Sequence, residues 1–210
     1  MSSIQRKCSK SSLNSKLNVL IAKLFLSPFL IQDWVDTTVK KEDLAKYFCC
    51  STILEEEVAN AYQIISSKVL DTEISYLLEY IAKDSFKHAV AFKALSAQIT
   101  EREYDVEECT KLWGKLWKNI VEDTKTYTSK KEITLIELRS VIKDLESCEK
   151  YVGEEFLTIL YTKVIQLLAE DEGVDLNGYK SILEWIIEDE KRHSQILEII
   201  KQKIDEKISL

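Results

Sequence analysis

Apolar residues recur at intervals of three and four from Ile53 to Leu70 and again from Ile74 to Ile99. That period predicts two helices, with Asp71-Thr72-Glu73 between them as turn and helix start, and hence a helical hairpin. A polar stretch, Thr100 to Glu108, follows. The same period predicts helices over Cys109 to Asp123 and Thr134 to Leu145, the latter free to continue into a long helix ending near Ala169. Asp171 to Gly178 carries two glycines among acidic residues and reads as a loop. A last helix is expected from Tyr179 to about Lys207. Four glycines and one proline are too few for the closely spaced turns of a sheet-rich fold.

The expected fold class is therefore all-α. Residues 1–15 read as a disordered basic N-terminal tail, and 16–210 as one helical domain with helix pairs near 51–99 and 147–207. The connecting segment, 100–146, shows no interpretable motif; Trp113 and Trp117, one turn apart, read as packing residues on its flank. The net charge of -7 excludes nonspecific nucleic-acid binding, which demands a basic surface. Leu17 to Ile31 is interrupted by Lys23, Ser27 and Pro28 and is too short to span a bilayer, so no membrane association is expected. The five cysteines, 8, 49, 50, 109 and 148, show no Cys-x-x-Cys spacing, which excludes a zinc ribbon or rubredoxin-type iron site. Their odd, unpatterned count suggests a reducing interior and a cytoplasmic location, with Cys49, Cys50 and Cys148 as small buried residues.

Candidate chemistry enters with the only two histidines. Each closes a helical cassette: Asp84-Ser85-Phe86-Lys87-His88 and Asp189-Glu190-Lys191-Arg192-His193. Residues three apart share a helix face, so Glu190 and His193 reach toward one point. In the first cassette Ser85 stands where the matching glutamate would be. The chain also repeats itself: a shift of 105 superimposes Asp84 on Asp189 and His88 on His193, and a shift of 99 superimposes Glu55 on Glu154, Tyr62 on Tyr161 and Cys49 on Cys148. The repeat unit is a helix pair. Glu55 precedes its turn by about fifteen residues and His88 follows it by about as many, so both sit roughly 22 Å from the turn. Glu154 and Glu190/His193 come level in the second pair by the same count. Two hairpins packed face to face would gather Glu55, His88, Glu154, Glu190 and His193 inside a four-helix bundle, where a metal would offset the cost of burying carboxylates.

In these residues the chain resembles the ferritin-like superfamily of di-iron and di-manganese carboxylate proteins. Asp189 through His193 is similar to the Asp-Glu-x-Arg-His pattern of ribonucleotide reductase small subunits and related oxygenases, and the tyrosine seven residues after each glutamate is similar to rubrerythrins and ferritins. The resemblance implies two iron or manganese ions per chain. Glu55 and Glu154 would be terminal ligands, His88 and His193 would bind one metal each, and Glu190 would bridge. Asp84 and Asp189 would each accept a hydrogen bond from the histidine of the opposite cassette. Tyr62 and Tyr161 would bond the ligand carboxylates or supply a redox-active phenol.

Ser85 removes the second bridge, and three outcomes stay open: two metals with water, hydroxide or an exogenous carboxylate in the gap, a mononuclear metal, or a relic site. The implied function is a non-haem oxidoreductase acting with dioxygen or peroxide, either a rubrerythrin-like peroxidase or ferroxidase, or an oxygenase, with electrons from a separate donor. The alternative is a non-catalytic bundle with a degenerate or mononuclear site and a structural or interaction role. A homodimer is compatible with either.

Overall fold

The computed structural model describes residues 40–150, 157, 160, 161, 164 and 177–209, and all regular structure among them is helical. Six helices are defined: α1 Lys41–Lys68, α2 Thr72–Ile99, α3 Val106–Trp113, α4 Lys115–Thr128, α5 Leu135–Lys150 and α6 Asn177–Ile208. The N-terminal tail, the apolar segment from Leu17 to Ile31 and the loop at 171–176 lie outside the described residues. So do the side chains of Cys148 and Glu154.

Local chemistry sets most of the helix ends. The α1–α2 hairpin turns at Val69 to Asp71, where the Asp71 side chain caps α2 by accepting from the Ile74 amide at 3.0 Å. Ser66 and Ser75 exchange side-chain to backbone bonds across the same turn. Helix α1 begins twelve residues earlier than the sequence period suggested, because Leu44, Ala45 and Phe48 are buried and Glu42 and Asp43 suit a first turn. The single helix expected over Cys109 to Asp123 is two. Gly114 breaks it at φ +54°, a backbone conformation that side-chain-bearing residues rarely adopt. Asp105 and Glu108 form a reciprocal capping box at the start of α3.

The long helices repeat one order of side chains. Along α1, Leu44 and Phe48 join one apolar cluster, Glu55 follows, and Tyr62 and Ile65 join another. Along α2 the order reverses: Ile74, Leu78 and Ile81, then Ser85 and His88, then Phe92 and Leu95. In α6, Leu183 and Ile186 precede Glu190 and His193, and Leu197, Ile200 and Ile204 follow. Helix α5 brings Leu138 and Ile142 to the cluster that holds Tyr62 and then presents Glu149. A thin polar layer is thus enclosed between two apolar ones. Water is excluded from it on both sides, so its charges interact in a low-dielectric setting.

Helices α3 and α4 pack on the flank of α1, where Cys50, Leu54, Cys109, Trp113 and Trp117 form a third cluster. Here the structure departs from the expectation of small, unlinked cysteines: Cys50 and Cys109 form a buried disulfide joining α1 to α3. The Trp113 indole donates to the Cys50 carbonyl at 3.0 Å and the Tyr104 hydroxyl to the Glu42 carbonyl at 3.0 Å, fixing the first part of the connecting segment to α1. No helix among the described residues is long and apolar enough to cross a membrane.

Candidate metal centre

Among the described residues the polar layer holds three buried glutamates, Glu55, Glu149 and Glu190, the buried Asp84 and both histidines. The glutamates and histidines form two overlapping triads, Glu55-His88-Glu190 and Glu149-Glu190-His193, each with one donor atom per residue lying within 4.8 Å of the others. Glu190 belongs to both. Its Oε1 stands 3.0 Å from His88 Nδ1, and its Oε2 stands 3.5 Å from His193 Nδ1. One carboxylate therefore offers a separate oxygen to each triad, while the imidazole rings sit 5.7 Å apart.

The far sides of the rings are also held. His88 Nε2 lies 3.3 Å from Asp189 Oδ2 and His193 Nε2 lies 3.5 Å from Asp84 Oδ2, so each histidine reaches the aspartate of the other cassette. These contacts turn both Nδ1 atoms inward. The aspartates are anchored in turn: Asp84 pairs with Lys87 at 2.6 Å and Asp189 with Arg192.

Four of the five residues expected from the sequence, Glu55, His88, Glu190 and His193, come together here. The fifth, Glu154, lies outside the described residues, and the carboxylate seen beside His193 is Glu149, whose Oε2 is 3.5 Å from His193 Nδ1. Tyr62 is fully buried and donates to Glu149 Oε1 at 2.5 Å. Tyr161 donates instead to Glu184 at 2.6 Å, at the surface. Ser85 is buried beside His88 on the inward face of α2.

The sequence reading missed Glu149, although a signal for it existed. A shift of 94 aligns Leu44 with Leu138, Phe48 with Ile142, Val58 with Val152, Tyr62 with Phe156 and Ile65 with Ile159, and sets Glu55 on Glu149. That shift matches the apolar frame of the helix. The shift of 99 matched tyrosine and cysteine instead.

Electrostatics show what this layer lacks. Burial raises Glu55 to about 8 and Glu149 to about 7, with the charge of Glu190 adding to both. Burial alone would favour neutral histidines, but it is outweighed: the nearby carboxylates of Asp189 and Glu190 lift His88 to about 9, and those of Asp84, Glu149 and Glu190 lift His193 to about 12. Glu190 is held well below the usual carboxylate range despite its burial, by Glu149, His193 and His88. Protons thus take the part of cations in the layer.

They do so incompletely. His88 Nδ1, Glu190 Oε1, His193 Nδ1 and Nε2 and Asp84 Oδ2 are buried without a hydrogen-bond partner. Buried polar atoms are ordinarily satisfied, and orphans cost free energy on the order of 1–3 kcal/mol each. Three of these atoms, His88 Nδ1, Glu190 Oε1 and His193 Nδ1, belong to the two triads. A nitrogen and carboxylate oxygens suit first-row divalent ions such as iron, manganese or zinc, and three protein ligands leave coordination positions open. The residues present therefore fit a metal. No protein-family model, curated protein or solved structure matches the chain.

Proposed function

We propose that this chain is a ferritin-like four-helix bundle, formed by α1, α2, α5 and α6 as two related hairpins, that holds two iron or manganese ions and acts as a non-haem oxidoreductase on dioxygen or peroxide. The observation that carries the reading is Glu190, whose two oxygens face different histidines. Glu55 and His88 would hold one ion, Glu149 and His193 the other, and Glu190 both.

When bound, such ions supply Lewis acidity and electrons for reducing an oxygen-oxygen bond. The chain's own residues supply the rest. Asp189, hydrogen-bonded to His88 Nε2, and Asp84, 3.5 Å from His193 Nε2, orient the two imidazoles with Nδ1 turned toward the centre, where it would ligate. Tyr62 steadies Glu149 and places a phenolic proton next to the centre. The apolar layers around Phe92 and Leu197 keep bulk water away from reactive species. Electrons would come from a separate donor.

Elemental analysis of protein reconstituted anaerobically with ferrous iron or manganese tests the reading. About two ions per chain, with consumption of peroxide or dioxygen, is the expected result. About one ion would reduce the site to a mononuclear one, and none after reconstitution would overturn the proposal.

A further inference from the structure

The cassettes of α2 and α6 answer each other, since Asp84 reaches the outer nitrogen of His193 and Asp189 that of His88. The two aspartate side chains are largely buried, at 9% and 13% exposed, and stand on neighbouring helices. Like charges brought together away from water repel. The carboxylate torsion of an aspartate is also soft, so a second contact is needed to fix its direction. One side chain provides that contact for both. Lys87 Nζ lies 2.6 Å from Asp84 Oδ1 and 3.6 Å from Asp189 Oδ2.

The matching cation on α6 behaves differently. Arg192 follows Asp189 by three residues, as Lys87 follows Asp84, but it pairs with the aspartate of its own helix and lies against Tyr80. Lys87 pairs within α2 and also crosses to α6. The oxygens are divided accordingly. Asp189 gives Oδ1 to Arg192 and Oδ2 to both Lys87 and His88; Asp84 gives Oδ1 to Lys87 and turns Oδ2 to His193. The Lys87 side chain is itself 63% exposed, so its ion pairs add little to stability. Their consequence is direction: one ammonium bears on the carboxylates behind both rings.

We propose that Lys87 is a positioning residue for both histidines, its ammonium holding Asp84 and Asp189 side by side so that they turn both Nδ1 atoms into the buried layer. Two half-sites on different helices then depend on one surface lysine. The effect on the rings needs no metal. On the two-metal reading above, Lys87 also governs the loading of both ions.

The chain has only two histidines, so nitrogen-labelled histidine in the full-length, chelated protein reports on each ring separately. Lys87→Met keeps the stem and removes the charge, and is expected to displace the ring-nitrogen signals of both His88 and His193. Lys87→Arg should return both toward their native positions. His88 adjoins Lys87 in the chain, so transmission through the aspartates is separated by double-variant cycles. The displacement at His193 should vanish when Asp84→Asn is already present, and that at His88 when Asp189→Asn is. A surface ion pair without this role would lower the unfolding midpoint and move neither ring. Unmoved His193 signals in Lys87→Met, displacements that persist behind the asparagines, or equal displacement in Lys87→Arg and Lys87→Met would each overturn the proposal. The first of these needs only the exposed Lys87→Met variant, and so decides even if the asparagine variants fail to fold. With manganous ion, Lys87→Met should weaken loading of both ions by about tenfold, and loss at one ion alone would again overturn it. Should the unaltered protein load fewer than two ions, the two-metal reading falls and the ring signals of the chelated protein still decide the role of Lys87.

Discussion

The hydroxyl of Tyr62 on α1 donates to Glu149 on α5 at 2.5 Å, joining residues 87 apart in the chain. The bond links α1 to α5 and occupies one oxygen of Glu149, while the other faces His193. Tyr62 therefore fixes which way that carboxylate points. Tyr62→Phe keeps the ring in its apolar cluster and removes this restraint. Affinity for one of two metals is expected to fall by about 10- to 100-fold, with the other unchanged. Competition against a calibrated chelator checks this, and parallel loss at both sites would count against the assignment of Glu149 to a single ion.

Glu190 serves both triads, so its removal acts twice. Glu190→Ala is expected to abolish loading of both metals and any dependent consumption of peroxide or dioxygen. It also leaves His88 and His193 without their shared carboxylate in the buried layer. The metal-free variant is expected to lose about 3 kcal/mol of stability at pH 7, read from the urea midpoint. A variant that still bound one ion tightly would show that Glu190 is not shared.

The metal-free protein is expected to weaken as pH rises. Glu55 and Glu149 are raised in the folded state from 4.5 to about 8 and about 7, and His88 from 6.5 to about 9. A raised group stabilises the fold fully below its unfolded value and loses that contribution as pH climbs to its folded one. The carboxyl contribution therefore fades between pH 4.5 and about 8, and that of His88 between 6.5 and about 9. Each proton held only by the folded state changes stability by about 1.4 kcal/mol per pH unit. Metals compete with the same protons, so loading should release protons and tighten with pH. Urea midpoints of chelated and loaded protein between pH 5 and 9 should diverge; parallel curves would place the metal elsewhere.

The Cys50–Cys109 disulfide closes a chain separation of 59 residues in the cluster that seats α3 on α1. Cys109→Ala is expected to cost about 2–4 kcal/mol of stability, chiefly by freeing the unfolded chain. Thermal unfolding with and without reductant checks this. Reductant should lower the midpoint of the native protein and leave that of Cys109→Ala unchanged.

The helices α1, α2 and α6 were legible because each combines a sustained apolar period with a clear start or stop, such as the Asp71 cap. The Gly114 break was not, since the period continues through it and only the φ of +54° separates α3 from α4. Cys50 and Cys109 were likewise unreadable as a pair. Their spacing matches no motif, and they meet only because α3 folds back along α1.

Sequence alone determined that the regular structure of the described residues is helical and put Glu55, His88, Glu190 and His193 forward as one cluster, because spacing along a helix dictates which side chains share a face. Tertiary packing decided the partner of His193. A slip of five residues turns a helix position by about 140°, and only the seating of Leu138 and Ile142 against α6 selects the register that turns Glu149 inward. The same packing gave Tyr62 its partner on α5 and Tyr161 one at the surface, although the two tyrosines looked equivalent in the sequence. Local periodicity is a property of one helix; register between helices follows from how their apolar surfaces interlock, and the chain does not write that down locally.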